Sequence, residues 1–287
     1  MGTETKGYNL TTTVNNFNLS YDDLGEGSIP IIFLHGFPFD KSMWQIQLDF
    51  LKSSNRVIAC DIRAFGKSRD EESSLSIELF ADDLIKFMDT LNIERAIVCG
   101  LSMGGFVTLT AFKLYPRRFE ALVLCDTQCI ADTIDVKEKR YGIIDEIEVD
   151  GATKFNNAFI KSVFSKDSLS SKKELVEQLR GVVFSNSEHV IKMGLTALAE
   201  RSETCSTLNE ITIPTLIICG REDTVTPLAQ SEFMNTGIKG SELRVIDNAG
   251  HVSNLEQPQA FNKHLLDFLT SLQDAVIEHV SEKNRSQ

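Results

Sequence analysis

The sequence predicts an α/β fold: a mostly parallel sheet of eight strands flanked by helices, interrupted by one inserted helical cap. Three observations carry this expectation. Short continuous apolar runs, of the length of strands buried on both faces, alternate with longer helix-patterned segments. That alternation stops from about residue 128 to about 205, where only helical patterns occur, and then resumes. One apolar run, Ala96-Ile97-Val98-Cys99, passes through a tight glycine-bounded turn straight into a helix-compatible segment beginning near Phe106. The chain has 287 residues, 42% hydrophobic and 24% charged. That is ordinary globular composition, with enough apolar material for a core that needs no disulfide staples.

Residues 7–24 alternate weakly around Asn and Gly turns, which predicts an antiparallel hairpin at a sheet edge. Residues 30–34 are a buried strand ending in His35-Gly36-Phe37-Pro38. A helix over 42–51 follows, then a strand over 56–62 closed by Asp61. The segment 77–91 is helical, with Phe80, Leu84, Phe87 and Leu91 on one face. After the strand and helix at 96–115, residues 121–125 form a strand that Asp126 closes. Within the insertion, 136–147 and 152–164 read as helices. Ser171-x-x-Glu174 and Ser185-x-x-Glu188 read as capping boxes opening two more. Strands over 214–219 and 243–246, with helices over 227–234 and 261–272, complete the pattern. The domain division is therefore 1–127 with 206–287 as core, and 128–205 as cap.

A formal net charge of -12, with no cluster of Lys and Arg, argues against nucleic acid and anionic membranes as partners. Of the six cysteines, Cys60, Cys99, Cys125 and Cys219 sit in apolar strand-like runs and read as small buried hydrophobes of a reducing compartment. No cysteine pair has metal-ligand spacing. The polar N-terminus has no signal-peptide core, and no apolar run is long enough to span a bilayer. The expected location is cytoplasmic.

The chemistry centres on Gly100-Leu101-Ser102-Met103-Gly104, a Gly-x-Ser-x-Gly in strand–turn–helix context. Such a turn lifts the serine hydroxyl clear of the sheet. Serine needs a general base to act as a nucleophile, and the base needs a third group to orient it. Asp223 and His251 each follow a predicted strand, at the sheet edge where open α/β sheets place their sites. Asp126 also closes a strand and is a second candidate for the acid.

From about residue 28 to about 272 the chain resembles α/β-hydrolase fold enzymes. The resemblance rests on His35-Gly36-Phe37, Asp61-x-Arg63-x-x-Gly66-x-Ser68, Gly100-x-Ser102-x-Gly104-Gly105, Gly220-x-x-Asp223-x-x-x-Pro227, and Gly250-His251 with Glu256-x-Pro258. It implies Ser102, Asp223 and His251 as the catalytic set, with Asp223 preferred to Asp126 because Gly220 to Pro227 fits the usual acid loop. It further implies Phe37 and Met103 as backbone donors of an oxyanion hole, with no cofactor and no metal. Ala64 departs from the family's usual Gly, so that loop is expected to turn differently. His35 organises its loop, whereas His189, His264 and His279 are surface or packing residues. Within the family the elbow and small cap look most like carboxylesterases and 3-oxoadipate enol-lactonases. Carbon–carbon bond hydrolases, cofactor-free haloperoxidases and slow-turnover small-molecule receptors share the set. The expected substrate is a small apolar ester or lactone, held by Phe37, Phe159 and Phe164. Trp44 and Phe39 are pocket candidates that can equally serve packing. Lys139, Arg140 and Lys154 lie in polar stretches that mark none of them as a carboxylate clamp, which favours a neutral substrate over an anionic enol-lactone.

Overall fold

The structure is a computed structural model describing residues 6–70 and 72–285, with side chains described through Asp274. Eight strands form one sheet in the order β1-β2-β4-β3-β5-β6-β7-β8. The edge hairpin is β1 (Gly7–Val14) and β2 (Phe17–Leu24), and β2 pairs antiparallel with β4 (Val57–Cys60). The remaining pairings are parallel and run through β3 (Ile31–Leu34), β5 (Ala96–Leu101), β6 (Phe119–Cys125), β7 (Thr215–Gly220) and β8 (Glu242–Ile246).

The period-2 geometry of a strand divides each apolar run between the two faces. Ile32, Ile58, Val98, Leu122 and Ile217 face a core shared with α2 (Ile77–Thr90), α3 (Met103–Leu114) and Met234 of α9 (Leu228–Gly237). Their neighbours Ile31, Phe33, Val57, Ile97, Val123 and Ile218 face a second core. That core is closed by α1 (Gln45–Leu51) and α11 (Pro258–Arg285). Trp44 is fully buried there, against Phe33 and Phe261, so its role is packing. The closing helix is much longer than the expected 261–272. His279 falls outside the residues whose side chains are described.

Between β6 and β7 lie α4 (Ile134–Asp150), α5 (Thr153–Val163), α6 (Lys166–Ser171), α7 (Lys173–Phe184) and α8 (Glu188–Glu200). Neither expected capping box forms. Ser171 ends α6, its hydroxyl bonding back to the Asp167 carbonyl, and α7 starts without a side-chain cap. The cap of α8 is Ser187 rather than Ser185, accepting from the Val190 N–H at 3.2 Å. A second correction concerns the cysteines. Cys60, Cys99, Cys125 and Cys219 are free and buried, but Cys129 and Cys205 form a disulfide across 76 residues. It ties together the two ends of the insertion, and it removes the cysteine argument for a reducing compartment. Among the described residues no helix is long and apolar enough to cross a membrane.

Candidate active site

Ser102 lies between the last residue of β5 and the first of α3, at φ 53 and ψ -115. A non-glycine residue held there is strained, and the surrounding backbone fixes it. The Ser102 N–H donates to the Cys125 carbonyl at 3.0 Å, and its own carbonyl accepts from Gly105 and Phe106 N–H groups. The flanking glycines permit the turn. A Cβ on Gly104 would stand 2.3 Å from the Leu34 carbonyl oxygen, and one on Gly100 would stand 2.3 Å from the Gly104 carbonyl oxygen. Helix and strand can meet this closely only without those carbons.

His251 and Asp223 reach Ser102 from the loops after β8 and β7. The Ser102 hydroxyl is 2.8 Å from His251 Nε2, and His251 Nδ1 is 2.8 Å from Asp223 Oδ2. Asp223 is held by its own turn: Oδ1 accepts from the Val225 and Thr226 N–H groups at 2.8 and 3.0 Å. The Thr226 hydroxyl donates to Oδ2 at 2.8 Å. Burial alone would raise the Asp223 carboxyl, but the His251 charge and hydrogen bond, with those from Thr226, hold it below the usual range. Burial likewise pulls His251 down, and the charge and hydrogen bond of Asp223 outweigh it, leaving the imidazole above its ordinary value.

The His251 loop is anchored to the insertion. The His251 N–H donates to the Val163 carbonyl at 2.8 Å. The wholly buried Glu256 accepts from Gly250 N–H at 2.7 Å and from Ser165 N–H at 2.9 Å.

Asp126 lies behind this array and does not bond His251. It accepts from the Gly220 N–H at 2.7 Å and from the Ser253 hydroxyl at 2.5 Å, linking the acid loop to the base loop. Burial, reinforced by the Asp223 charge, pushes its carboxyl up to about 8. Asp126, Cys219 and Asp223 bring potential metal ligands within 4.8 Å of one another. The two carboxylates are already taken up by hydrogen bonds, and burial pushes the Cys219 thiol well up, so these groups suit a cation poorly.

His35 is buried, its Nε2 accepting from the Ile62 N–H at 2.9 Å, and it organises the loop before Phe37. Ala64 takes up φ 74, a left-handed conformation suited to glycine and strained for alanine. The N–H groups of Phe37 and Met103 donate to no acceptor among the described residues.

A cavity of about 140 Å³ opens beside Ser102 and His251. Phe37, Phe106, Phe155, Phe159, Leu195 and Leu198 give it apolar walls, and Gln128, Arg140 and Thr226 supply polar groups. Phe164 does not line it. That side chain, just past the end of α5, is buried in the second core, the one that also holds Val252 and Leu255. Phe39 is also buried and meets Phe159 at 5.7 Å between centroids. Lys139 is exposed and Lys154 pairs with Glu146, whereas Arg140 enters the cavity wall. A larger cleft of about 440 Å³, beside Ile97, Arg56 and Glu120, lies at the opposite, amino end of the strands and includes none of these groups.

A serine on a strained strand–helix turn, with a histidine and an acid from later loops at the same sheet edge, defines the hydrolase class built on this sheet. Residues 29–258 match the family model for the alpha/beta hydrolase fold, and the chain belongs to that family. The chain is 30% identical over 253 residues to 3-oxoadipate enol-lactonase 2 of Acinetobacter baylyi, covering 88% of this chain and 93% of the relative. A solved esterase from Thermogutta terrifontis, with malate bound, is 29% identical with a TM-score of 0.86, over 91% of this chain and 97% of that one. The enol-lactonase of Burkholderia xenovorans is 27% identical with a TM-score of 0.84, over 91% of this chain and all (100%) of that one. Other matching relatives carry the names "Putative non-heme chloroperoxidase", from Synechocystis, and "2-hydroxy-6-oxononadienedioate/2-hydroxy-6-oxononatrienedioate hydrolase 2", from Pseudomonas putida.

Proposed function

We propose that this chain is a serine hydrolase that cleaves a small ester or lactone through an acyl-enzyme. The observation that carries the reading is the unbroken run of hydrogen bonds from Ser102 through His251 to Asp223, opening on the cavity. His251 takes the Ser102 proton as the hydroxyl attacks the substrate carbonyl, and Asp223 holds the imidazole tautomer and stabilises the imidazolium. The Phe37 and Met103 N–H groups bind the developing oxyanion, helped by the positive end of α3. The protonated His251 then delivers its proton to the leaving alkoxide. Water, deprotonated by the same imidazole, releases the acid and restores Ser102.

Residues 128–205 act as a cap in this reading, since α4, α5 and α8 contribute cavity residues over the serine. A cavity of about 140 Å³ is well below the ~300–1,000 Å³ usual for drug-sized ligands, which favours a short acyl group. The test is turnover of a panel: short-chain and long-chain aryl esters, an enol-lactone and a dienone. Short esters or the lactone should lead, and Ser102→Ala should lose about 10⁴–10⁶ in kcat. A leading dienone would move the chain to carbon–carbon bond cleavage. A leading long-chain ester would refute the small site, and no turnover at all would favour a receptor.

A further inference from the structure

The wall of the active-site cavity carries one guanidinium, and its surroundings leave it with an unspent charge. Arg140 projects from α4, its side chain one-quarter (25%) exposed, and its Nε donates to Asp132 Oδ2 at 2.5 Å. The other oxygen of Asp132 is already paired, with Arg201 Nη1 at 2.7 Å. One carboxylate thus serves two guanidinium groups, and the cluster keeps a net positive charge.

The surplus is not available at Arg201. That side chain is 2% exposed, donates to the carbonyls of Leu198 and Ile130 at 2.6 and 3.1 Å, and lies over the Phe106 ring at 4.5 Å. Arg140 differs: Nη1 and Nη2 have no acceptor among the described residues, and the residue lines the cavity with Ser102 and His251. A guanidinium pinned through Nε presents its two terminal nitrogens as a fixed fork, the geometry that takes a carboxylate through two parallel hydrogen bonds. On a chain of net charge -12, a positive centre inside the cavity is not a by-product of a basic surface.

We propose that Arg140 is the carboxylate-binding residue of this site, and that the substrate is a short ester or lactone bearing a free carboxylate. Asp132 acts as a positioning residue that holds the fork. The ester half of the statement rests on the serine hydrolase reading above, while the carboxylate half can be tested without turnover. The apolar walls of Phe37, Phe155 and Phe159 then accommodate the carbon chain between the two polar ends.

The experiment compares the 4-nitrophenyl ester of hexanoic acid with the mono-4-nitrophenyl ester of hexanedioic acid, which differ at the distal carboxylate. The wild-type chain should prefer the charged ester in kcat/KM. Arg140→Gln should reduce the charged-to-neutral ratio roughly ten- to a hundredfold, mostly through KM. Arg140→Lys should fall between, because a point charge without the fork recovers part of the interaction. Glutarate should compete with the neutral ester, and the same two variants should weaken that inhibition. A wild-type preference for the neutral ester, or a ratio unmoved in both variants, would overturn the proposal. Should Arg140→Gln not fold, the Lys variant decides by the same ratio. If neither ester turns over, the hydrolase reading fails, and calorimetric titration of glutarate into the wild type and Arg140→Lys still decides the role of Arg140. Equal binding by the two, or none by either, refutes it.

Discussion

Asp223→Asn is the substitution whose outcome the hydrogen bonds dictate most completely. Two backbone N–H groups, from Val225 and Thr226, point at Oδ1. An asparagine must therefore put its amide oxygen there, and its NH2 falls at the Oδ2 position facing His251 Nδ1. The amide then donates to Nδ1, the imidazole carries its proton on Nε2, and Nε2 can no longer accept from Ser102 at 2.8 Å. A wrong tautomer of this kind costs about 10⁴ in kcat, or about 5 kcal/mol of transition-state stabilisation. Asp126→Asn is the matched comparison. Asp126, pushed up to about 8, is mostly neutral at pH 7, its carboxyl O–H then donating to the Ser253 hydroxyl, and an amide repeats this with its oxygen accepting from the Gly220 N–H and its NH2 donating to Ser253 Oγ. Its loss should stay below about tenfold, since no tautomer changes. Both variants would be assayed on a short-chain aryl ester, with thermal unfolding run alongside to confirm folding. A larger loss for Asp126→Asn, or an Asp223→Asn enzyme within tenfold of wild type, would refute the assignment of the acid.

The raised pKa of His251 means that kcat/KM should climb with pH to a half-maximum above ~6.5, the value of a free imidazole; a profile flat from acid to alkali would remove His251 as base. Asp126 keeps its proton in the folded chain after the unfolded chain has lost it, so stability should fall as pH rises from the ordinary carboxylate range to about 8. Thermal midpoints of Asp126→Asn should decline less over that range than those of the wild type. Gly104→Ala forces a Cβ to 2.3 Å from a backbone oxygen and should cost at least about 1–3 kcal/mol. The control Gly142→Ala, with nothing within 4 Å in α4, should be neutral or stabilising in the same denaturant titration. Replacing Cys129 and Cys205 together by Ala opens a closure of 76 residues, so the unfolding free energy should drop, by up to about 4.5 kcal/mol on a chain-entropy account.

The sheet was legible because its central strands are buried on both faces and so are written as unbroken apolar runs. The meeting of Ser102, Asp223 and His251 was legible because each follows a strand, and parallel strands deliver such residues to one edge. What the insertion does was less legible. Apolar spacing marked Phe159 and Phe164 alike, but spacing does not say which of the two reaches the cavity and which is buried in the core. Arg140 was obscured because apolar and charged residues are mixed around α4 with no clear stripe, and its role depends on Asp132 and Arg201, contacts that only folding creates. The Cys129–Cys205 bond joins residues too far apart in sequence for spacing to pair. Ser171 and Ser185 fit a capping pattern, yet each lies at the end of the preceding helix. Ala64 was visible as a departure from Gly, but that it holds a left-handed φ of 74 is a backbone fact that spacing does not carry.

The central claim is that Ser102 is a nucleophile activated by His251, and covalent labelling tests it most directly. A neutral fluorophosphonate should add one phosphonyl group to the intact chain. Peptide mapping should find that group on Ser102, while Ser102→Ala should remain unlabelled and His251→Ala should label far more slowly. Modification at another residue, or equal labelling of the Ser102→Ala chain, would contradict the account.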